Sequence, residues 1–318
     1  MPEIVIISGK GGTGKTSLTG AFAALARSTV LCDLDVDAPD LHLILEPIPR
    51  SEEDFVSGVE ARIDPAACTG CGICADMCRF EGVRREAGTF AIDPLRCEGC
   101  GVCARFCPAG AVTLVPRLCG RWGVSDTRFG TMVHAQLFPG QENSGRLVQL
   151  LRGQAREAAA AEGAAFILCD GAPGVGCPVI SSLSGTALAV IVTEPTPSGR
   201  HDLERVSRLC AHFRVQAAVI LNKADLNPEE AARIEELCRE RGHEIVARLP
   251  HDPVFFTAMA ARRTIPEGDS PLNEPLRQAW DRIQDLAREA DKPRRPKDRP
   301  RLIPLAPLPP PGRDPAPS

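Results

Sequence analysis

The stretch that most constrains this chain is residues 4–16. The apolar run Ile4-Val5-Ile6-Ile7 leads into Ser8 and then Gly9-Lys10-Gly11-Gly12-Thr13-Gly14-Lys15-Thr16-Ser17. A β-branched run, a glycine loop and a helix opening at Lys15 follow the spacing G-x-x-x-x-G-K-[ST] of a phosphate-binding strand–loop–helix unit. Glycines allow successive backbone N–H groups to face one concavity and form an anion nest. The helix N-terminus adds partial positive charge. In this pattern Lys15 is expected at the β- and γ-phosphates and Thr16 at Mg²⁺. A second lysine inside the loop, Lys10, is unusual.

The α/β rhythm continues from this unit. A helix is expected over residues 15–27, then a strand over Thr29–Cys32 that runs into Asp33, Asp35 and Asp37. Carboxylates at the carboxyl end of a strand lie where a doubly wound sheet keeps its site. Farther on, a helix is expected over residues 146–161 with Ser144 as its cap. Strands follow at 165–169 (ending at Asp170), 187–193, 216–221 and 245–247, with helices from about Asp202, Pro228 and Pro253. Leu272, Leu276, Trp280, Ile283 and Ala287 mark one face of a last amphipathic helix. Alternation of this kind implies a mostly parallel sheet covered on both faces.

Residues 63–108 interrupt the rhythm with an internal repeat. Ile63-Asp64-Pro65 precedes Cys68, and Ile92-Asp93-Pro94 precedes Cys97. Cys68, Cys71, Cys74 and Cys78 are spaced C-x2-C-x2-C-x3-C, and Cys97, Cys100, Cys103 and Cys107 repeat the spacing with Pro108 after it. That is the spacing of two-cluster bacterial ferredoxins, in which the fourth cysteine of each run ligates the other cluster. Cys68, Cys71, Cys74 and Cys107 are therefore expected at one [4Fe–4S] cluster, and Cys97, Cys100, Cys103 and Cys78 at the second. Zinc sites more often use two separate C-x2-C pairs. Arg79 stands where the first run often has proline, a change that removes no ligand.

Composition narrows the classes. The 318 residues include 14 cysteines, more than an ordinary core needs, and a formal net charge of −4. With no apolar run of about 18 residues, no membrane span is expected. The first residues enter an apolar strand with no n-region or cleavage site, so a cytoplasmic location is expected, and cysteines in a reducing compartment read as metal ligands. Tyrosine is absent and aromatic residues are 4%, which gives no base-stacking platform for nucleic acid. Ten of the last 28 residues are proline, and this tail, 291–318, is expected to be disordered. The expected division is 1–60 and 118–290 as one nucleotide-binding domain, 61–117 as a small α+β two-cluster insert, and the tail.

The Lys10–Thr16 loop resembles the deviant Walker A motif of the MinD/ParA/Mrp class of P-loop ATPases. The resemblance implies that Lys10 is the signature lysine that reaches the phosphates of a dimer partner. Asp33-Leu34-Asp35 resembles switch I, with Asp35 as the catalytic aspartate; Asp33 and Asp37 stand close enough to exchange with it. Phe166–Asp170 followed by Gly171-Ala172-Pro173-Gly174 resembles Walker B and switch II, with Asp170 near Mg²⁺. Asn222-Lys223-Ala224-Asp225 resembles the base-reading loop, and Leu249-Pro250-His251-Asp252 a late loop over the base. Asn-Lys-x-Asp also occurs in guanine readers; the family favours adenine. Asn222, Asp225 and Pro250 join Gly9–Ser17 as the expected ATP contacts.

Together with the cysteine runs, residues 1 to about 290 resemble the MinD-superfamily ATPases that carry an inserted ferredoxin domain. The resemblance implies a homodimeric ATPase with Lys10, Lys15, Asp35 and Asp170 as catalytic residues. Three outputs stay open: ATP-gated electron transfer to a partner protein, which two complete cysteine runs favour; assembly or delivery of Fe–S clusters; and a regulatory switch with redox-sensing clusters. Cys177 lies at the offset after Asp170 where nitrogenase iron proteins of the same superclass place a cluster ligand; the plainer expectation is a small buried cysteine. Cys32 and Cys169 are expected in the core.

Overall fold

The computed structural model describes residues 1–292. The proline-rich tail expected to be disordered lies, from residue 293 on, outside the described residues. In chain order the elements are β1 (Glu3–Ser8), α1 (Lys15–Leu25), β2 (Thr29–Asp33), α2 (Leu41–Leu45), β3 (Ile48–Ile63), α3 (Ile73–Asp76), β4 (Val83–Glu86), β5 (Thr89–Ile92), α4 (Val102–Arg105), β6 (Val112–Thr127) and β7 (Gly130–Leu137). They continue with α5 (Ser144–Glu162), β8 (Phe166–Pro173), α6 (Cys177–Leu183), β9 (Leu188–Thr193), α7 (Pro197–Phe213), β10 (Gln216–Leu221), α8 (Pro228–Arg241), β11 (Glu244–Arg248), α9 (Val254–Ala260) and α10 (Asn273–Ala290).

One nine-stranded sheet runs in the order β11-β10-β9-β1-β8-β2-β7-β6-β3. Pairing is parallel from β11 to β7 and antiparallel through β6 and β3. The alternation of strand side chains splits the core. Val5 and Ile7 join Val30, Cys32, Cys169 and the apolar faces of α5, α6, α7 and α8. Ile4 and Ile6 join α1, α2 and α10 on the other side. There Trp280 is buried and stacks on Phe22 at 5.4 Å between ring centroids, with Phe166 edge-on at 6.2 Å. The expected stripe on α10 is buried throughout: Leu272, Leu276, Trp280, Ile283 and Ala287 are each 4% exposed or less. Among the described residues no helix is long and apolar enough to cross a membrane.

Several expectations need correction. The helix placed at about 202 begins at Pro197, where the Thr196 side chain accepts a hydrogen bond from Gly199 N–H. Ser144 does not cap α5; Asn143 occupies the cap position in a left-handed conformation, φ 75°, with no side-chain cap bond. Cys177 is exposed at the first residue of α6, not buried. Strands β3, β6 and β7 went unread because their polar and apolar residues do not form one clean alternation.

Those three strands carry the cysteine module. β6 pairs with β7 only from Gly120 to Thr127, while its pairing with β3 continues out to Ile63 opposite Val112. The outer halves of β3 and β6 thus form a two-stranded arm with residues 64–111 at its tip. The expected boundaries at 60/61 and 117/118 fall inside continuous strands. Where the arm leaves the sheet the register shifts between Phe55 and Val59, and Gly58 takes φ 74°. The buried Cys119 Sγ donates to Ser57 O there at 3.2 Å.

A buried ion pair fastens α5 to the central sheet. Arg152 on α5 is paired with Glu3 on β1, both buried, and Arg156 donates to the same carboxylate at 2.7 Å. Arg152 Nη1 also donates to Ser181 O at 2.6 Å and Ser184 O at 2.7 Å, the end of α6. Removing one partner of a buried pair leaves the other charge desolvated, so Arg152→Ala should cost about 3 kcal/mol. Urea unfolding followed by circular dichroism measures this; a loss under about 1 kcal/mol would mean that Arg156 alone compensates Glu3.

Candidate functional site at the carboxyl ends of the strands

β1 ends at Ser8, and the chain turns through Gly12 (φ 79°) and Gly14 (φ 94°) into α1. A Cβ on Gly14 would come within 2.6 Å of Asn222 Nδ2, and one on Gly9 within 2.2 Å of Asp202 Cβ. The loop is therefore glycine for two reasons, backbone conformation and close approach. Asn222 Nδ2 donates to Thr13 O at 2.8 Å, which ties the loop to the end of β10.

Three donors from the first turns of α1 converge on Asp170 of β8. Lys15 Nζ lies 2.8 Å from Asp170 Oδ1, Thr19 Oγ1 2.9 Å from the same oxygen, and Thr16 Oγ1 2.8 Å from Oδ2. Asp35 Oδ2 is 3.7 Å from Lys15 Nζ. Burial opposes the charge on Lys15, but Asp170 and Asp35 outweigh it and raise the lysine above its usual range. Burial pushes the Asp35 carboxyl up to about 6, with Lys15 opposing and the charge of Asp170 adding to the rise. Burial, then the charge of Asp170, raises Asp33 well above the carboxylate range.

Of the three switch aspartates Asp35 is the one that lines the cleft. Asp33 instead accepts backbone N–H bonds from Asp35 at 3.1 Å and Leu41 at 3.3 Å, which shapes the loop. Two carboxylates, Asp35 and Asp170, face the single Lys15 ammonium beside the Thr16 hydroxyl. That surroundings suit a hard divalent cation held by few protein oxygens and completed by phosphate and water.

The cleft holds about 750 Å³ and is lined along the loop by Gly11, Gly12, Gly14, Lys15, Thr16 and Ser17, a volume of the size that takes a nucleotide. Its far wall is Asn222, Lys223 and the segment His251–Met259, including Phe255 and Phe256. Asp225 stands behind this wall, its Oδ1 accepting from His251 N–H at 2.6 Å. Pro250, expected as a contact, does not line the cleft, and neither does Thr13, which is buried with its hydroxyl unpartnered. The aromatic pair Phe255–Phe256 was missed; two adjacent phenylalanines in a chain with 11 were a usable signal.

Lys10 turns away from the other loop residues. Its Nζ lies 2.6 Å from Glu194 Oε1 and 3.2 Å from Ser198 Oγ. Lys223 Nζ reaches the other oxygen of Glu194 at 2.9 Å and Gly12 O at 3.1 Å. Against the effect of burial, these two lysines hold the Glu194 carboxyl below its usual range. Lys223 lies in the expected base-reading loop and Glu194 just past an expected strand, but nothing local showed that the glutamate would bridge two lysines.

On the arm, the structure brings the cysteines together in two sets. Cys68, Cys71, Cys74 and Cys107 line one small cavity with Ile63, Phe90 and Pro108. Cys78, Cys97, Cys100 and Cys103 line a second with Ala61 and Phe80. The turns between them need glycine: Gly72 and Gly101 have φ 83° and 77°, and a Cβ on Gly99 would come within 2.0 Å of Val59 O. Among the described residues no group of three or more His, Cys, Asp or Glu could hold a metal ion. Four thiols around one cavity, with glycine turns packed against the arm, nevertheless form a donor set of the kind a sulfide-bridged iron cluster takes.

A family model described as the CobQ/CobB/MinD/ParA nucleotide binding domain matches residues 4–265. The chain belongs to this family. An uncharacterized protein of Methanocaldococcus jannaschii is 32% identical over 287 residues, covering 89% of this chain and 97% of that protein. Among solved structures, the cell division ATPase MinD of Pyrococcus furiosus aligns with a TM-score of 0.54 at 16% identity, covering 90% of this chain and 100% of that one. A chain of the MinC:MinD cell division protein complex of Aquifex aeolicus aligns at 0.52 and 18% identity, covering 89% of this chain and 96% of that one. These likenesses show the MinD/ParA fold for the nine-stranded sheet and its helices.

Within this fold the loop glycine at 14 is a sharp test. Gly14→Ala should lose about 1–2 kcal/mol from the left-handed backbone alone and more from displacing Asn222. Thermal unfolding would show it; an unchanged melting temperature would mean that the loop relaxes freely.

Proposed function

We propose that this MinD/ParA-family chain is a dimeric, Mg²⁺-dependent ATPase whose nucleotide state governs two [4Fe–4S] clusters, and that it passes electrons to a partner protein. The convergence of Lys15, Thr16 and Thr19 on Asp170 beneath the glycine loop is the observation that carries the ATPase reading. Bound Mg²⁺ would neutralise the phosphate charge that develops during transfer. Thr16 and Asp170 would hold it, Lys15 would bind the phosphates, and Asp35 would orient a water at the mouth of the cleft. Asn222 and Asp225 would order the base side, with Phe255 and Phe256 supplying apolar surface for the base.

Lys10 would serve the partner protomer. Held by Glu194 and Ser198 in the single chain, it must leave these partners to do so. Its replacement should therefore spare binding and remove turnover. Lys10→Ala is expected to retain ATP affinity within about threefold while kcat falls at least tenfold, more than about 1.4 kcal/mol in the barrier. Equilibrium binding beside steady-state phosphate release reads both; loss of binding would make Lys10 a ligand in cis.

The two four-cysteine cavities are what support the cluster reading, and the cross-tie of Cys78 and Cys107 favours clusters held permanently, as an electron carrier needs. Anaerobically prepared protein should contain about eight irons and eight sulfides per chain. Cys74→Ser should lose about half of the iron and leave the spectrum of one centre. Zinc in place of iron would overturn the reading. The exposed Cys177 favours a second reading, cluster assembly or delivery, because an accessible thiol at a helix start could receive a transferable cluster. Transfer of iron to an apo-acceptor on addition of MgATP, with no change in cluster potential, would select it over electron transfer.

A further inference from the structure

The internal repeat makes the two cysteine runs look equivalent, but the arm treats them differently. The ladder between β3 and β6 pairs Val59 with Pro116, Ala61 with Leu114 and Ile63 with Val112. The set Cys78, Cys97, Cys100 and Cys103 packs on Ala61, and its Gly99 turn lies against Val59. The set Cys68, Cys71, Cys74 and Cys107 packs on Ile63 and Val112 at the tip. Val59 and Ile63 are about 13 Å apart along a strand, so one site is inner and the other outer. The inner half also meets the main sheet's own loops, for Leu95 lies beside Gly140, in the segment between β7 and α5.

Among the described residues, only the inner site is gripped by a charged side chain from the arm. Arg117 on β6 donates from Nη1 to Cys97 O at 2.8 Å and from Nη2 to Pro94 O at 2.7 Å. Its Nε is buried with no hydrogen-bond partner. In the repeat, Pro94 and Cys97 correspond to Pro65 and Cys68, and among the described residues no side chain is seen to donate to either of those carbonyls. A guanidinium keeps its charge at every accessible pH and spans two acceptors in a fixed fork.

We propose that Arg117 makes the two sites unequal, fixing the loop that carries Cys97 and raising the reduction potential of the inner site above that of the outer. The inference rests on the cluster reading proposed above. One electron from an external reductant adds one negative charge to a site, with no bond made or broken in the protein. A permanent positive charge nearby stabilises the reduced form, and hydrogen bonding and net charge are the terms that set such potentials. An electron entering at the tip then comes to rest at the inner site, the one nearest to the loops of the nucleotide-binding sheet. Arg117 is thus a positioning residue, acting through the cysteine loop.

The test uses the full chain, prepared anaerobically, with iron and sulfide assayed and the centres titrated with dithionite under electron paramagnetic resonance. Wild type should show about eight irons and two midpoint potentials, with Cys97→Ser removing the higher one. In Arg117→Gln the higher midpoint should fall and the lower stay, so that at the wild-type midpoint the oxidised-to-reduced ratio of the inner centre rises about tenfold, equivalent to 59 mV for one electron. Arg117→Lys keeps the charge but cannot span both carbonyls, and should restore most of the shift. If Arg117→Gln loses about half of its iron, the grip on the loop is shown directly, and Arg117→Lys supplies the potential. Full iron content with both midpoints unmoved in Arg117→Gln would overturn the inference while leaving the cluster reading intact. Absence of iron and sulfide from wild type would overturn the cluster reading first.

Discussion

Everything at the carboxyl edge of the sheet depends on one buried carboxylate. Asp170 is fully buried, and Lys15, Thr16 and Thr19 from a single helix all bond to it. A desolvated charge is tolerated only when it is paired and hydrogen-bonded, so this carboxylate fixes where α1 begins relative to β8. That in turn sets the path of the glycine loop joining β1 to α1. The loop cannot drift, because Gly14 and Gly9 leave no room for a Cβ against Asn222 and Asp202. β10 and α7 are thereby tied to the same point, and the cleft takes its walls from five parts of the chain.

The sequence showed this region well because its constraints are local. A phosphate nest needs particular residues at fixed spacing, and the apolar strands before Lys15 and Asp170 are buried on both faces, so they read as continuous runs. The helix stripe ending in Trp280 was equally legible, since a 3.6-residue period survives without any knowledge of what it packs against. Less was visible where side chains serve long-range partners. Glu194 meets Lys10 across 184 positions, Arg152 meets Glu3 across 149, and neither has a local signature. Ser144 illustrates the opposite error: a residue of good capping type was assigned a role that the left-handed Asn143 turn took instead.

The cysteine module shows a third case. Its repeat and spacing were plain, and the structure gathers the thiols into two sets of four. Its mounting was not plain. The two long strands of 16 residues each were not read as strands, because half of each lies in a nine-stranded sheet and half in a free ribbon. The pattern of burial changes along the strand, so no single period describes it. Trp122 and Phe55 belong to the sheet end; Val59 and Leu114 belong to the arm.

The ribbon has a further consequence for the molecule's outer boundary. β3 is the last strand of the sheet, and an edge strand offers unpaired backbone groups to any other chain that can align with it. Its sheet end reads Pro49-Arg50-Ser51-Glu52-Glu53-Asp54, all exposed. Proline has no N–H to give to a new neighbour, and four charged side chains in five positions would have to surrender water to admit one. Arg50 is already engaged with Asp126 on β6, and Arg121 with Asp54. The chain therefore closes its own sheet at this edge, and the fold can extend an arm into solvent without inviting strand-by-strand growth between molecules.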